Sequence, residues 1–185
     1  MKPTYNTYHY GDQGFNDYGW GCSYRNAQTV ASALGHEVPT MEDLLGVYGL
    51  DRRKLAARKL WIEPPQVAFM LERLRGIRGS LAVYASESLR QFEKGMLRTK
   101  VTDFPHTIEA DPEGLLSFLD KHFVSSGGLP VIIDDAVYSY LLLPHPRDRW
   151  YTLVDPHVKK KYSVRVMRSE ELVSSRGWMM YLPEK

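Results

Sequence analysis

The clearest local signal of the fold is carried by residues 18–25, Tyr18-Gly19-Trp20-Gly21-Cys22-Ser23-Tyr24-Arg25. Two glycines and a tryptophan lead there into a helix-forming segment, residues 22–34, whose apolar residues recur at helical spacing. Gly35 follows at a position where helices commonly stop. The pattern therefore predicts that Cys22, the single cysteine of the chain, lies at the beginning of a helix.

The residues before this helix predict an ordered loop. Residues 1–21 are rich in Gly, Asp, Asn and Tyr and show little periodicity, which is typical of loops. They carry more aromatic surface than a disordered tail would, in Tyr5, Tyr8, Tyr10, Phe15, Tyr18 and Trp20. We therefore expect this aromatic loop to pack against the body of the protein.

The remaining residues predict a helical segment followed by a sheet. Residues 22–126 are mainly helical in pattern, with further helix starts at Thr40, Pro64 and Asp111, one helix around residues 88–97 and a short strand at 80–84. Residues 127–185 alternate β-forming runs with turns, and the predicted strands are 129–133, 138–143, 150–154, 162–167 and 178–182. This order predicts one α+β domain over residues 1–185, with helices packed on a mostly antiparallel sheet.

The composition excludes several classes of protein. With 185 residues, 43% of them hydrophobic, the chain can build one sizeable core. Its formal charge of +2 is far from the basic balance of a dedicated nucleic-acid binder, and we interpret runs such as Lys159-Lys160-Lys161 as solvated faces. No apolar run approaches the roughly 18 to 20 residues that cross a bilayer, and the N-terminus lacks the apolar segment of a signal peptide. A single cysteine forms neither an internal disulfide nor a zinc-binding pair. We expect a cytoplasmic protein without cofactor, metal, nucleic-acid partner or direct membrane insertion.

A second motif, Asp155-Pro156-His157, lies far downstream of Cys22 in the β-rich part. Thiol proteases need a thiolate, an imidazole that keeps it charged and protonates the leaving group, and a third group that orients the imidazole. The unsatisfied N–H groups of a helix start favour the thiolate of Cys22. In an extended strand, Asp155 and His157 would point to the same face, and Pro156, which has no N–H, places them at a sheet edge or strand end. These residues suggest a cysteine protease.

The same residues also allow a purely structural interpretation. A lone cysteine near a helix start is usually a small buried hydrophobic residue, and an Asp-Pro-His tripeptide is usually a turn. The separation of Cys22 and His157 falls in the roughly 130 to 150 residues typical of papain-like enzymes, but such spacings do not transfer between families. Composition and spacing alone leave both interpretations open.

The sequences of the two motifs resemble those of the proteases specific for the ubiquitin-fold modifier, the UfSP family. The resemblance is carried by residues 19–29, Gly-Trp-Gly-Cys-Ser-Tyr-Arg-Asn-Ala-Gln-Thr, and by residues 155–157, and it extends through Trp61-Ile62 and residues 130–132. It implies a papain-like fold in which Cys22 is the nucleophile, His157 the general base and acid, and Asp155 the carboxylate that orients His157.

The resemblance implies further residue roles. Family members use a tyrosine in a Tyr-His-Tyr-Gly string to help form the oxyanion hole, and here that tyrosine is Tyr10 in Tyr8-His9-Tyr10-Gly11. The second oxyanion donor would be the backbone N–H of Cys22. Trp20 is placed, by position only, at the wall of a narrow slot for a glycine tail.

The resemblance also implies an activity. Such a protease would cleave after the C-terminal glycine of the ubiquitin-fold modifier, to mature its precursor, to remove it from conjugated lysines, or both. The partners would be the precursor or the conjugates, with any anchoring to a membrane supplied by a partner protein.

Two other functions stay open. Autophagy-type proteases, which act on another ubiquitin-like modifier, share the Gly-Trp-Gly-Cys and Asp-Pro-His elements, although they are typically much longer. A non-catalytic module that binds a ubiquitin-like modifier would not need the complete Cys, His and Asp set. The Tyr24-Arg25 continuation and the Tyr-His-Tyr-Gly string favour the UfSP family, of the short, catalytic-core type. One departure is Asp134-Asp135, where the family tends to carry glycines.

Overall fold

The computed structural model describes residues 4–49, 59–85, 105–109, 111–158, 163–174 and 177–185. Their helices, in chain order, are α1 (Cys22–Ala33), α2 (Met41–Gly46), α3 (Pro64–Arg75), α4 (Pro112–Ser126) and α5 (Ser169–Val173). Their strands are β1 (Gly79–Ala85), β2 (His106–Glu109), β3 (Val131–Asp134), β4 (Ser139–Pro144), β5 (Trp150–Val154), β6 (Val164–Arg168) and β7 (Gly177–Pro183). The helix predicted around residues 88–97 lies outside the described residues.

Local signals determine where the helices begin and end. The Thr40 hydroxyl accepts a hydrogen bond from the backbone N–H of Asp43, and the Asp43 carboxylate accepts one from the backbone N–H of Thr40, so α2 starts with a capping box. Prolines begin α3 and α4, and Gly76 and Gly127 end these two helices in the left-handed conformation. The predicted helix starts at Thr40, Pro64 and Asp111 are confirmed.

The strands form one seven-stranded sheet in the order β2-β1-β7-β3-β4-β5-β6. Neighbouring strands are antiparallel, except that β1 and β2 are parallel. The last strand of the chain, β7, therefore lies inside the sheet, and every one of its residues is buried. This arrangement confirms the predicted α+β class and the mostly antiparallel sheet.

Helices cover both faces of this sheet. Alternating side chains of β3 show the division, because Ile132 belongs to the core beneath α1, α2 and α3, whereas Ile133 belongs to the core beneath α4 and α5. A sheet covered on both faces needs apolar residues at consecutive strand positions, which explains why the β-forming runs are nearly continuous.

Two hydrogen bonds bring the N-terminal loop, α1 and the end of β5 together. The Asn26 side chain in α1 donates to the Ser139 hydroxyl at the start of β4 over 2.9 Å, although these residues are 113 positions apart. The backbone N–H of Tyr10 donates to the carbonyl oxygen of Pro156 over 3.1 Å. Cys22 and the Asp155-Pro156-His157 motif thus meet at one end of the sheet.

Candidate active site

Cys22 is the first residue of α1 and is completely buried. Gly21 precedes it as the N-cap, and a Cβ atom at Gly21 would lie 2.2 Å from a carboxylate oxygen of Asp17, so only glycine fits there. The backbone N–H groups of Trp20 and Gly21 donate to the carbonyl oxygen of Asp17 over 3.2 and 3.0 Å, which fixes the turn into the helix. The prediction that Cys22 begins a helix is confirmed.

Asp155 and His157 are joined by a turn rather than by an extended strand. Strand β5 ends at Val154, and Pro156 and His157 lie in a turn. The Asp155 carboxylate oxygen Oδ1 accepts hydrogen bonds from the backbone N–H of His157, over 2.8 Å, and from ring atom Nδ1, over 2.5 Å. The expectation that both side chains would project from one face of a strand is therefore wrong, although the expected position at a strand end is right. The two side chains meet because Asp155 bonds the backbone two residues on, as Asp commonly does in turns.

The charges around His157 hold a proton on its ring. Burial lowers the pKa of His157, but the hydrogen bonds with Asp155 and Cys22 and the negative charge of both groups outweigh it and raise this pKa from 6.5 to about 9. Burial likewise acts to raise the pKa of Asp155, yet the hydrogen bonds from the ring and backbone of His157 bring it below its usual value. His157 is therefore protonated at neutral pH, a state in which an imidazole can act as a general acid.

Tyr10 lies against His157 and beside the thiol. Its ring packs edge-to-face on the imidazole, with ring centroids 5.2 Å apart. Burial, and then the neighbouring Cys22, hold the pKa of Tyr10 well above its usual value, so its phenol stays protonated. The Tyr10 hydroxyl and His157 Nε2 are both buried, and neither has a hydrogen-bond partner of ordinary geometry among the described residues. Cys22 lies close enough to both groups to shift the pKa of the imidazole and of the phenol.

Two further tyrosines surround His157. The ring centroids of Tyr138 and Tyr140 lie 5.1 and 5.4 Å from that of the imidazole. Tyr138 remains 48% exposed, so it covers the imidazole from the solvent side. Neither tyrosine was predicted to lie at the site, although the alternation Tyr138-Ser139-Tyr140 at a predicted strand start was a usable signal.

The turn that carries Tyr138 is built by Asp134 and Asp135, the two residues that end β3 and follow it. Asp135 Oδ1 accepts hydrogen bonds from the backbone N–H groups of Val137, over 3.0 Å, and Tyr138, over 2.7 Å. Asp134 Oδ1 accepts one from Ala136 over 2.8 Å. Asp134 and Asp135 thus supply side-chain hydrogen bonds that hold the β3–β4 turn beside His157.

Trp20 lies in the core instead of facing a cleft. Its side chain is 3% exposed and packs edge-to-face on Tyr24 and Phe15, with ring centroids 5.6 and 6.1 Å away. The structure thus gives Trp20 a packing role in the core beneath α1. Its contact with a substrate tail stays a prediction.

The described part of the chain offers no group of three His, Cys, Asp or Glu side chains that could hold a metal ion. No helix within it is long and apolar enough to cross a membrane.

Asp134→Asn is expected to change how stability depends on pH. Burial raises the pKa of Asp134 from 3.8 to about 8, and the charges of Asp135 and Glu63 add to this, while hydrogen bonds from Ala136 and Ser23 oppose it. Between these two pH values the folded protein binds a proton that the unfolded chain has released. The free energy of unfolding should therefore fall with rising pH, by at most about 1.4 kcal/mol per pH unit.

This contribution should be absent from Asp134→Asn, which has no proton to release. Urea denaturation of both proteins at about pH 5 and pH 8 measures it. An identical pH dependence in the parent and the variant would show that Asp134 ionises freely.

The α+β architecture and the proximity of Cys22, His157 and Asp155 agree with the class of protein that the motifs predicted, a cysteine peptidase. The sequence model of Peptidase family C78 matches residues 1–183. The chain therefore belongs to this peptidase family, which confirms the family that the motifs predicted.

Individual relatives agree with this membership. A "Ufm1-specific protease 1" of Mus musculus is 32% identical over 168 residues, which cover 85% of this chain and 67% of that protein. A "Ufm1-specific protease" of Caenorhabditis briggsae is 23% identical over 197 residues, which cover 99% of this chain but only 29% of that protein. The crystal structure of UfSP from C. elegans shares the fold with a TM-score of 0.65 at 20% identity, over 100% of this chain and 35% of that one.

Proposed function

We propose that this chain is a thiol-dependent peptidase that cleaves after the C-terminal glycine of the ubiquitin-fold modifier, Ufm1. It would mature the modifier precursor, remove the modifier from conjugated lysines, or both. The observation that carries this proposal is the meeting of Cys22, His157 and Asp155 at one end of the sheet, in a member of a peptidase family. The names of the mouse and worm relatives support the choice of modifier.

The first half of the reaction forms a thioester. The Cys22 sulfur attacks the glycine carbonyl carbon, and the carbonyl oxygen becomes an oxyanion that the Tyr10 phenol and the Cys22 backbone N–H stabilise. His157 then gives its proton to the departing amine. The raised pKa of His157, about 9, and the hydrogen bond to Asp155 keep that proton available at neutral pH and hold the ring in position.

The second half of the reaction releases the modifier. His157, now neutral, takes a proton from a water molecule that attacks the thioester carbonyl. The C–S bond breaks, and the Cys22 thiolate is restored beside the protonated His157. The modifier leaves as a carboxylic acid, which loses its proton to water. Hydrolysis of a peptide tail and of a lysine isopeptide use the same steps, which is why both substrates belong to the proposal.

The substrate would be held mainly outside the catalytic centre. A glycine tail has little surface of its own, so affinity would come from a protein–protein interface of ordinary size. A reducing compartment keeps a single thiol free to react, which is compatible with a cytoplasmic location. Any attachment to a membrane would then come from an anchoring partner protein.

A cleavage assay against a panel of precursors tests the proposal. The panel contains the Ufm1 precursor, an autophagy modifier precursor and a ubiquitin precursor, each with its C-terminal extension, and mass spectrometry records which extension is lost. We expect cleavage of the Ufm1 precursor only. Loss of the autophagy extension instead would favour the autophagy-type protease, and binding without cleavage would favour the non-catalytic module.

Tyr10→Phe is expected to lower kcat by roughly 10² to 10³ and to change KM little, because it removes one oxyanion donor and leaves the ring packed on His157. Steady-state cleavage of the precursor measures this. Tyr18→Phe is the matched control, since the Tyr18 ring packs on Tyr10 at 5.7 Å but is 63% exposed. A rise in KM equal to the loss in kcat/KM would make Tyr10 a substrate contact instead.

A further inference from the structure

An ion pair between Asp17 and Arg25 is completely buried next to the catalytic centre. The carboxylate accepts hydrogen bonds from Arg25 Nε, over 2.7 Å, and from Arg25 Nη2, over 2.9 Å, and neither side chain has any exposed surface. Removing two charges from water is costly, and a well-packed apolar pair is often as stable. Fold stability alone is therefore a weak explanation for the presence of this ion pair. Its position beside Gly11 and Gly21 suggests another role.

Asp17 connects the two segments that carry the oxyanion donors. Its Oδ1 accepts a hydrogen bond from the backbone N–H of Gly11, the residue after Tyr10, over 2.9 Å. Its carbonyl oxygen accepts the backbone N–H groups of Trp20 and Gly21, the residues directly before Cys22. One residue thus fixes the Tyr10 loop on one side and the start of α1 on the other.

Close packing and further hydrogen bonds hold Asp17 and Arg25 in place. Asp17 packs so closely on Gly21 that no side chain fits there. Arg25, within the first turns of α1, is held in turn by Gln28 Oε1, over 3.0 Å, and by the carbonyl oxygen of Phe15, over 3.4 Å. Gln28 donates to the carbonyl oxygen of Pro39 over 2.8 Å, which ties the whole arrangement to the chain entering α2.

We propose that Asp17, held by Arg25, is a positioning residue that sets the Tyr10 phenol relative to the Cys22 backbone N–H. It acts through Tyr10 and does not touch the substrate. The inference rests on the proposed function only for the roles of these two donors. Because oxyanion stabilisation depends on the donors being placed before the reaction, a small displacement of Tyr10 costs rate and leaves the thiol intact.

Two small reagents separate oxyanion stabilisation from the reactivity of the thiol. With p-nitrophenyl acetate, the Cys22 sulfur attacks the ester carbonyl, an oxyanion forms, and p-nitrophenolate leaves with the electron pair of the broken C–O bond. With iodoacetamide, the sulfur displaces iodide at a saturated carbon, and no oxyanion forms. The ratio of the acylation rate to the alkylation rate therefore reports on the oxyanion donors. Because Cys22 is the single cysteine, both reactions at sulfur occur there.

The experiment is a double-mutant cycle with Asp17→Asn, Tyr10→Phe and their combination. Asp17→Asn is expected to slow acylation by about 10- to 100-fold and to change alkylation by less than about twofold. In the Tyr10→Phe background, Asp17→Asn should slow acylation by less than about threefold more, because the group it positions is already gone. Arg25→Lys keeps the charge and loses one of the two hydrogen bonds to Asp17, so its acylation rate should lie between those of the parent and of Asp17→Asn. If Asp17→Asn does not fold, Arg25→Lys takes its place in the cycle.

Several results would overturn the inference. One is an acylation rate that Asp17→Asn leaves unchanged or lowers only as much as the alkylation rate. Another is that the rate losses of the two single variants multiply in the double variant. The last is a parent protein that p-nitrophenyl acetate does not acylate. Leu119→Ala, in the core beneath α4, is the matched control for lost stability and should leave the ratio unchanged. The assay contains no modifier, so a parent that fails to cleave the Ufm1 precursor would end the proposed function without deciding this inference.

Discussion

Cys22→Ser is expected to lower turnover of the modifier precursor by a factor on the order of 10⁶, the loss seen when a catalytic nucleophile is removed elsewhere. The serine hydroxyl is a far weaker nucleophile than a thiolate, because it holds its proton at neutral pH. The replacement is nearly isosteric at a fully buried position, so the fold and the capture of the precursor should persist. Cleavage assays measure the first effect, and calorimetric titration with the precursor measures the second.

Cys22→Ala is the matched control for this variant. If sulfur is the nucleophile, the serine and alanine variants should be equally inactive, while both bind the precursor as the parent does. Cleavage at the parent's rate in either variant would remove Cys22 from the mechanism.

Asp155→Asn is expected to lower kcat by about 10⁴, as the analogous change does where the wrong imidazole tautomer results. The carboxylate now bonds ring atom Nδ1 of His157 and helps to raise its pKa to about 9. Without that charge, the imidazolium loses its proton at lower pH. The alkaline fall of kcat/KM, expected near pH 9 in the parent, should therefore move to lower pH. A pH series of precursor cleavage measures both effects.

Asp120→Asn provides the matched carboxylate control, since Asp120 lies on α4 and bonds the Tyr151 hydroxyl away from the catalytic centre. It should leave both kcat and the alkaline limb unchanged. A mild effect of Asp155→Asn with an unmoved alkaline limb would reduce Asp155 to a residue that shapes the turn.

Features set by short-range chemistry were predictable from the sequence. The start of α1 at Cys22 follows from two glycines before a helical pattern, and the start of α2 follows from Thr40 and Asp43. The proximity of the Asp155 and His157 side chains was predicted from an extended strand, whereas the structure has a turn there. The prediction held because a turn and a strand both bring residues i and i+2 close. Their proximity was therefore predictable although the backbone conformation was not.

Features that depend on distant parts of the chain could not be predicted from the local sequence. The four-residue strand β2 carries too short a pattern to be recognised, and it pairs only because β1 offers an edge. Tyr138 and Tyr140 reach His157 through the pairing of β4 with β5, which no local signal specifies. Trp20 is buried because α1 packs on the sheet, and a loop has no periodicity that separates inward from outward residues.

The most direct test of the catalytic assignment is covalent trapping. The Ufm1 modifier carrying an electrophile in place of its C-terminal glycine carboxylate is incubated with the protein, and the adduct is located by peptide mass spectrometry. We predict a single adduct on Cys22 in the parent and its loss in His157→Ala. No adduct in the folded parent, or an adduct that forms equally fast without His157, would contradict a thiol activated by this imidazole.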